Sequence, residues 1–205
     1  AAQQARLAGW QQVLAELDRI DTTQLSAEGK VDYAVYRAQI LDLIDAVEQR
    51  SYQMPFNSGS SFWSNLGFMA RRPLTTAQQA QDYIALLQDV PRHFGQQIDN
   101  MRAGLARGFS VPRAVLDGRE VSIAAVARLE DPTASPLYGP LQRLPASIPQ
   151  AQREQLQRQG QAAIAGSVIP AYRQLLAFFQ DEYVPQARTS LAAEAMPGGE
   201  AFYRS

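Results

Sequence analysis

The side chains that could carry out chemistry are few and scattered in this sequence. It contains one histidine, His93, and no cysteine. A zinc-binding His-Glu-x-x-His helix needs two histidines on one face, with a glutamate that activates the bound water. A zinc site built from His93 and remote carboxylates would need several convergent ligands. We therefore predict a surface or capping role for His93, and a chain that alone neither binds catalytic zinc nor cleaves peptides.

The serine cluster at positions 58–61, Ser-Gly-Ser-Ser, lacks the other parts of a nucleophilic site. No Gly-x-Ser-x-Gly elbow occurs, and no histidine accompanies the cluster. Phosphate-binding loops and dinucleotide fingerprints are absent as well. We predict that the cluster belongs to a loop, and we assign no catalytic, cofactor-binding or metal-binding residue.

Two sets of charged residues offer weaker candidates. Asp42 and Asp45 share a helix face, but acid–base work needs burial and a partner, and a solvated rim is the favoured interpretation. Arg188, after Pro185, could grip a carboxylate through the two parallel hydrogen bonds of a guanidinium. The favoured alternative is that Arg188 binds carbonyl groups at the end of the preceding helix.

The composition of the 205-residue chain is that of a globular protein, with 46% hydrophobic and 19% charged residues. Its net charge of -1 gives no general attraction to nucleic acid or anionic lipid, so we predict no nucleic-acid partner. No apolar run approaches the roughly 18 residues that span a bilayer, and no segment has the pattern of a signal peptide. We predict no membrane span, and one domain because no linker divides the chain.

Apolar residues at three- and four-residue spacing predict an all-α multi-helix bundle. The first helix should end near Ile20 and form a hairpin with a second helix capped by Ser26. Two apolar stripes on this second helix predict neighbours on both flanks and a position near the middle of the bundle. Pro91 should end or kink the third helix, and Pro170 should bend a long C-terminal helix. Two capping boxes are predicted, Thr76 with Gln79 and Ser147 with Gln150.

The segment from Ser51 to Pro73 loses this periodicity and sets aromatic residues among serine, glycine and proline. We predict a long aromatic loop that is ordered, because its aromatic content is unlike that of disordered segments. It either lines a cleft or covers the apolar end of the hairpin, and the second interpretation is favoured.

Four stretches, taken in order, resemble the bacterial proteins grouped as domain of unknown function 885. They are Leu25 to Tyr33 followed by Arg37, Gly104 to Arg113, Tyr183 to Arg188, and Met196 to Tyr203. The resemblance covers nearly the whole chain. It implies a hydrolase, a zinc metallopeptidase whose His-Glu-x-x-His helix lies downstream of the Met-Pro-Gly-Gly stretch. The chain is then the N-terminal half of a longer protein, with zinc in the missing C-terminal part and a periplasmic or envelope location.

This resemblance leads to the first hypothesis, that the chain forms one wall of a peptidase substrate cleft. Phe62, Trp63, Arg188 and Tyr203 are then expected on or beside a surface that faces the missing catalytic part. Left uncovered, such a surface would make the fragment self-associate or leave the loop and tail mobile. The alternative hypothesis is a self-contained helical module of the bacterial cell envelope that holds a peptide or small ligand in the aromatic loop. A reading frame that continues past Ser205 into His-Glu-x-x-His favours the first hypothesis, and a stop codon there favours the second.

Overall fold

The computed structural model describes residues 2–57 and 59–200. Across these residues the chain is helical and forms no strand, which confirms the predicted all-α fold. The α-helices are α1 Ala2–Leu17, α2 Ala27–Glu48, α3 Phe62–Met69, α4 Ala77–Ala106, α5 Glu120–Ala127, α6 Gly139–Gln142, α7 Gln150–Ala163, α8 Ile169–Phe178 and α9 Val184–Gln186. Two π-helical turns, Ile164–Val168 and Phe179–Tyr183, join the last three of them.

The chain divides into two compact units. The hairpin unit comprises Ala1–Tyr52 and Ala192–Ser205, and the large unit comprises Gln53–Leu191. The single domain over residues 1–205 stays a prediction.

The hairpin unit pairs α1 with α2 around a small core of Leu17, Ile40 and Ile44. Ser26 caps α2 as predicted, because its Oγ accepts a hydrogen bond from the Gly29 amide at 3.1 Å. The prediction that α2 is covered on both flanks is wrong. Val31 and Val35, on its second stripe, are 62% and 54% exposed. Pairing with α1 buries one side of α2 and leaves this stripe outside.

Helix α4 is the central element of the large unit and packs against α7, α8 and the first π turn. Its apolar face is buried along the whole length, from Ala80 through Leu87 and Phe94 to Met101. The helix runs through Pro91, so of the two predicted outcomes, an end or a kink, the end does not occur and the kink stays a prediction. Proline removes one backbone hydrogen bond and strains the turn before it. Burial of the apolar face on both sides of Pro91 offsets that cost.

The segment predicted as a long loop contains α3. Ser61 caps this helix, since its Oγ accepts from the Ser64 amide at 3.3 Å. The ring of Trp63 packs 5.2 Å from that of Phe56, and its indole N–H donates to Ser122 Oγ at 3.0 Å. Phe56, Phe62 and Trp63 therefore face the core, whereas Phe68 at the end of α3 is 58% exposed, and this segment has structure of its own.

The C-terminal helical run from α7 to α9 carries a proline after each π turn. The Ile169 amide donates to the carbonyl of Ile164, and the Val184 amide donates to that of Phe179. Pro170 and Pro185 follow these two bonds directly. A proline has no amide to donate, and its ring clashes with the carbonyl four residues earlier. A π turn just before each proline places a wider turn of helix at this point, as is common where a helix adapts to such a residue.

The two predicted capping boxes differ in outcome. Thr76 Oγ1 accepts from the Gln79 amide at 3.2 Å, and Gln79 reaches back to the amide of Thr75 at 2.8 Å. The prediction of a capping box at Ser147 is wrong, because Pro149 occupies the cap position of α7 and makes no side-chain hydrogen bond there.

Candidate functional site

Two of the four predicted surface residues lie in the core of the large unit. Phe62 is 8% exposed and Trp63 is 2% exposed. The carbonyl oxygen of Trp63 accepts a 2.6 Å hydrogen bond from the buried hydroxyl of Tyr172. These two side chains therefore pack inward, and Tyr203 lies outside the described residues. The prediction that the four residues face a missing catalytic part stays a prediction.

Arg188, the remaining predicted surface residue, binds the chain around Ser110. Its Nε donates to the Ser110 carbonyl at 2.9 Å, and its backbone amide donates to Ser110 Oγ at 3.0 Å. Its Nη1 donates to the carbonyl of Ser190 at 2.6 Å. Burial lowers the pKa of the Arg188 guanidinium. Arg188 thus anchors backbone instead of presenting an open fork to a ligand.

Arg113 takes the role that the sequence interpretation gave to Arg188. Its Nε donates to the carbonyl of Val184 at 3.0 Å, and its Nη2 donates to the carbonyl of Pro185. These carbonyls lie at the end of the C-terminal helical run, where carbonyl groups lack part of their intrahelical partners, and the Val184 carbonyl has only a long 3.4 Å bond from the Ala187 amide. The sequence offered little sign of this, because Arg113 precedes Val184 by 71 residues.

The contacts of Arg113 and Arg188 join two stretches that carry the family resemblance. The Arg113 amide donates to the carbonyl of Arg188 at 2.8 Å. The Val111 amide donates to the hydroxyl of Tyr183 at 3.2 Å, and burial raises the pKa of Tyr183 to about 12. This junction fixes the end of the helical run relative to the residues that precede α5.

Beside the junction, three adjoining pockets follow α5. Their volumes are about 390, 500 and 560 Å³. Gln180, on the second π turn, lines all three, while Glu120 and Arg128 each line two. We call the continuous surface the α5 groove and define it by Glu120, Val121, Ala124, Ala125, Arg128, Leu129 and Gln180.

The geometry of the α5 groove follows from helical spacing. Glu120 and Ala124 lie on α5, and Arg128 is the cap residue directly after it, with its amide still bonded to the Ala124 carbonyl. Since the three are four residues apart, they share one side of the helix. With a rise of 1.5 Å per residue, the eight-residue step from Glu120 to Arg128 spans about 12 Å. The groove therefore has a carboxylate at one end, a guanidinium at the other and small apolar side chains between them.

The polar groups that define the groove are available to a ligand. Among the residues that the structure describes, Glu120, Arg128 and Gln180 make no side-chain hydrogen bond or ion pair. Arg173, at the Arg128 end, donates through Nε to the carbonyl of Ala127 at 2.9 Å. Unpaired polar groups around an apolar floor are the usual composition of a small-ligand site.

The candidate metal ligands do not converge. In residues 2–57 and 59–200 no three histidine, aspartate or glutamate side chains are grouped so that they could hold a metal ion. His93 lies within α4 and so does not cap a helix, whereas its half-buried ring, 6.0 Å from that of Phe62, remains partly at the surface. Burial lowers its pKa below the ordinary 6.5. These residues do not fit a zinc ion.

One helical run in the described residues, Gln150–Gln186, is long and apolar enough to cross a membrane by length and composition. Half of its most apolar window is buried inside the protein. The core helix of a globular protein passes the same test, so the absence of a membrane span stays a prediction.

Comparison with known proteins gives a family and a fold. The model of a family described as bacterial protein of unknown function (DUF885) matches residues 1–205. No curated protein sequence matches the chain. A crystal structure described as that of "the putative lipoprotein from Colwellia psychrerythraea" is similar, with a TM-score of 0.81 and 16% identity. The similarity covers 98% of this chain but only 36% of that chain, and at this identity it shows the fold alone.

Proposed function

The chain belongs to the bacterial protein family of unknown function DUF885, and on that premise we propose that it is the helical N-terminal portion of a zinc-dependent peptidase. In this proposal the α5 groove forms one wall of the substrate cleft. The peptidase class is supported by the resemblance of the four stretches described above. The zinc ion and the His-Glu-x-x-His helix belong to a C-terminal part outside residues 1–205.

The observation that carries the proposal is the α5 groove. It combines an open apolar floor with an unpaired amide, carboxylate and guanidinium among the described residues. A peptide presents the complementary groups, since its backbone donates and accepts hydrogen bonds and its ends are charged. The groove is thus suited to hold a peptide against a reacting centre supplied from elsewhere.

The contribution of this chain would be to bind and orient the substrate. Correct placement of reactants can account for a large part of the rate enhancement of an enzyme, whereas a small misplacement costs much of it. The zinc ion would activate the attacking water in the C-terminal part. The junction at Arg113 and Arg188 would keep the groove rigid, because it ties the end of the long helical run to the segment before α5.

The test begins with the gene. A reading frame that continues past Ser205 into a His-Glu-x-x-His motif is expected, and the complete protein should hydrolyse peptides in a chelator-sensitive manner. Residues 1–205 alone should not hydrolyse peptides, and calorimetry should show no zinc binding of micromolar or tighter affinity. Chelator-sensitive peptidase activity in the pure 1–205 chain would overturn the proposal, as would a complete protein without peptidase activity.

A second candidate function is a self-contained helical module of the bacterial cell envelope that binds a peptide or small ligand. The α5 groove supports it, because every residue that defines the groove lies within the large unit. The similar solved structure is described as that of a putative lipoprotein, which agrees with an envelope location. Phe56, Phe62 and Trp63 of the aromatic segment, however, are packed into the core, so the groove would be the binding element. A stop codon after Ser205 would favour this candidate.

A further inference from the structure

We propose that the α5 groove binds a short peptide through both of its free ends. The peptide ammonium group lies at the Glu120 end, and the peptide carboxylate lies at Arg128. This inference rests on the proposed function for the ligand class, a peptide, and adds the length and the charged ends of the peptide that the groove accepts.

Arg128 is the group that receives the carboxylate. Its side chain is exposed, lines two of the three pockets and has no ion-pair partner in the described part of the chain. A guanidinium offers two parallel N–H donors that match the two oxygens of a carboxylate. Glu130, Asp181 and Arg173 line the same pocket as Arg128, so its formal charge is zero. Selection of a carboxylate in this pocket therefore depends on the two parallel N–H donors of Arg128 and not on net charge.

The opposite end of the groove has the complementary charge. Asp117 and Glu120 line the pocket there, and neither has an ion-pair partner among the described residues. The cation of that pocket is Arg113, whose guanidinium already donates to the carbonyls of Val184 and Pro185. With two carboxylates and one guanidinium, the pocket has a formal charge of -1, and this negative charge favours a ligand ammonium group over a neutral or anionic group.

The distance between the two ends sets the length of the peptide. The backbone step from Glu120 to Arg128 spans about 12 Å. An extended peptide advances about 3.3 Å per residue, so about four residues fill the step. Between the ends, Ala124 and Ala125 leave room above the helix, and the unpaired amide of Gln180 can donate to and accept from the peptide backbone. A tetrapeptide with both ends free is therefore the ligand of best fit.

The test uses the 1–205 chain with tetra-alanine that has free ends, compared with its C-terminal amide and its N-acetyl form. An NMR titration should show saturable shifts at the amides of Ala124 and Gln180. Removing either charged end should weaken binding by about tenfold, the value of one good charge-assisted contact. Arg128→Gln should weaken binding of the free acid by a similar factor and leave binding of the amide unchanged. Arg158→Gln, an exposed arginine on α7 outside the groove, is the matched control.

The outcomes separate this inference from the proposed function. Absence of saturable shifts up to about 10 mM peptide, or an equal effect of Arg128→Gln on acid and amide, would overturn the binding mode. If the complete protein nevertheless hydrolysed peptides in a chelator-sensitive manner, the peptidase proposal would stand although the binding mode had failed. If the acid-specific effect of Arg128→Gln is found while the complete protein lacks peptidase activity, the binding mode stands and the peptidase proposal fails.

Discussion

Two glycines of α4 should respond in opposite directions to the same substitution. Gly95 lies mid-helix, and a Cβ added there would meet no atom within 4 Å. Gly104 lies near the C-terminal end of the helix, and its Cβ would stand 2.7 Å from the carbonyl oxygen of Phe109 and 2.8 Å from that of Gln53. A carbon and a carbonyl oxygen touch at about 3.3 Å. Both carbonyls would have to withdraw by about 0.5 Å.

The magnitudes follow from propensity and packing. Replacing a mid-helix glycine by alanine stabilises a helix by about 1 kcal/mol, so Gly95→Ala should raise the free energy of unfolding by up to that amount. Gly104→Ala has the same gain but adds an overlap with two backbone groups, and overpacking typically costs 1–3 kcal/mol. The backbone at Phe109 cannot swing away easily, because its amide donates to the carbonyl of Gly104 at 2.9 Å.

Urea denaturation of both variants beside the parent chain is the assay. We expect a higher midpoint for Gly95→Ala and a lower one for Gly104→Ala, with unchanged slopes. Equal or higher stability of Gly104→Ala relative to Gly95→Ala would refute the close approach of the two carbonyls to α4.

Three further outcomes are expected from the core of the large unit. Phe179→Ala should lower the free energy of unfolding by about 3–5 kcal/mol, because the ring is 1% exposed; a loss no larger than that of Leu191→Ala, at a 68% exposed position, would contradict this. Tyr172→Phe should cost about 1 kcal/mol through loss of its hydrogen bond to the Trp63 carbonyl, and an unchanged urea midpoint would contradict that bond. Because burial lowers the pKa of His93, the unfolded chain binds a proton at His93 more tightly than the folded chain does. The stability that neutral His93 contributes is complete above about pH 6.5 and is lost as pH falls through the lower folded pKa. His93→Gln should therefore reduce the fall in urea midpoint between about pH 7 and pH 5, and an identical pH profile would show that His93 is not responsible.

Helical periodicity predicted the larger elements well because it reports burial. In α4 the predicted apolar positions Ala80, Tyr83, Ile84 and Leu87 are buried, and Thr76 caps the helix as its side-chain chemistry requires. The same logic failed at α2, where two apolar stripes predicted two neighbours. A stripe shows that a face is apolar, but nothing in the local sequence says whether another element covers it.

Local signals also failed where tertiary contacts decide the outcome. Pro91 lies inside α4 because the buried residues on both sides of it outweigh one missing hydrogen bond. Helix α3 was missed because its aromatic residues pack against distant elements, as the 3.0 Å bond from Trp63 to Ser122 shows. Propensity within a short window contains no information on such partners.

The α5 groove could be predicted only in part. The spacing of Glu120, Ala124 and Arg128 places two opposite charges on one face of a short helix, and this pattern is visible in the sequence. The other wall is Gln180, which reaches the groove because α5 packs against α8, and α8 leads into the π turn that carries Gln180. That pairing brings together residues about 60 positions apart, which no local pattern reports.

The central claim is that this chain supplies a wall of a peptidase cleft, and the most direct test is to fill the groove in the complete protein. Ala125 is exposed and lines the groove, so Ala125→Trp should fold normally while occluding it. Ala151→Trp, at an exposed position of α7, is the matched control. The measurement is kcat/KM for chelator-sensitive peptide hydrolysis. We expect a fall of about tenfold or more for Ala125→Trp, equivalent to at least one lost contact, and no change for Ala151→Trp. Equal kcat/KM for the two variants would contradict the claim.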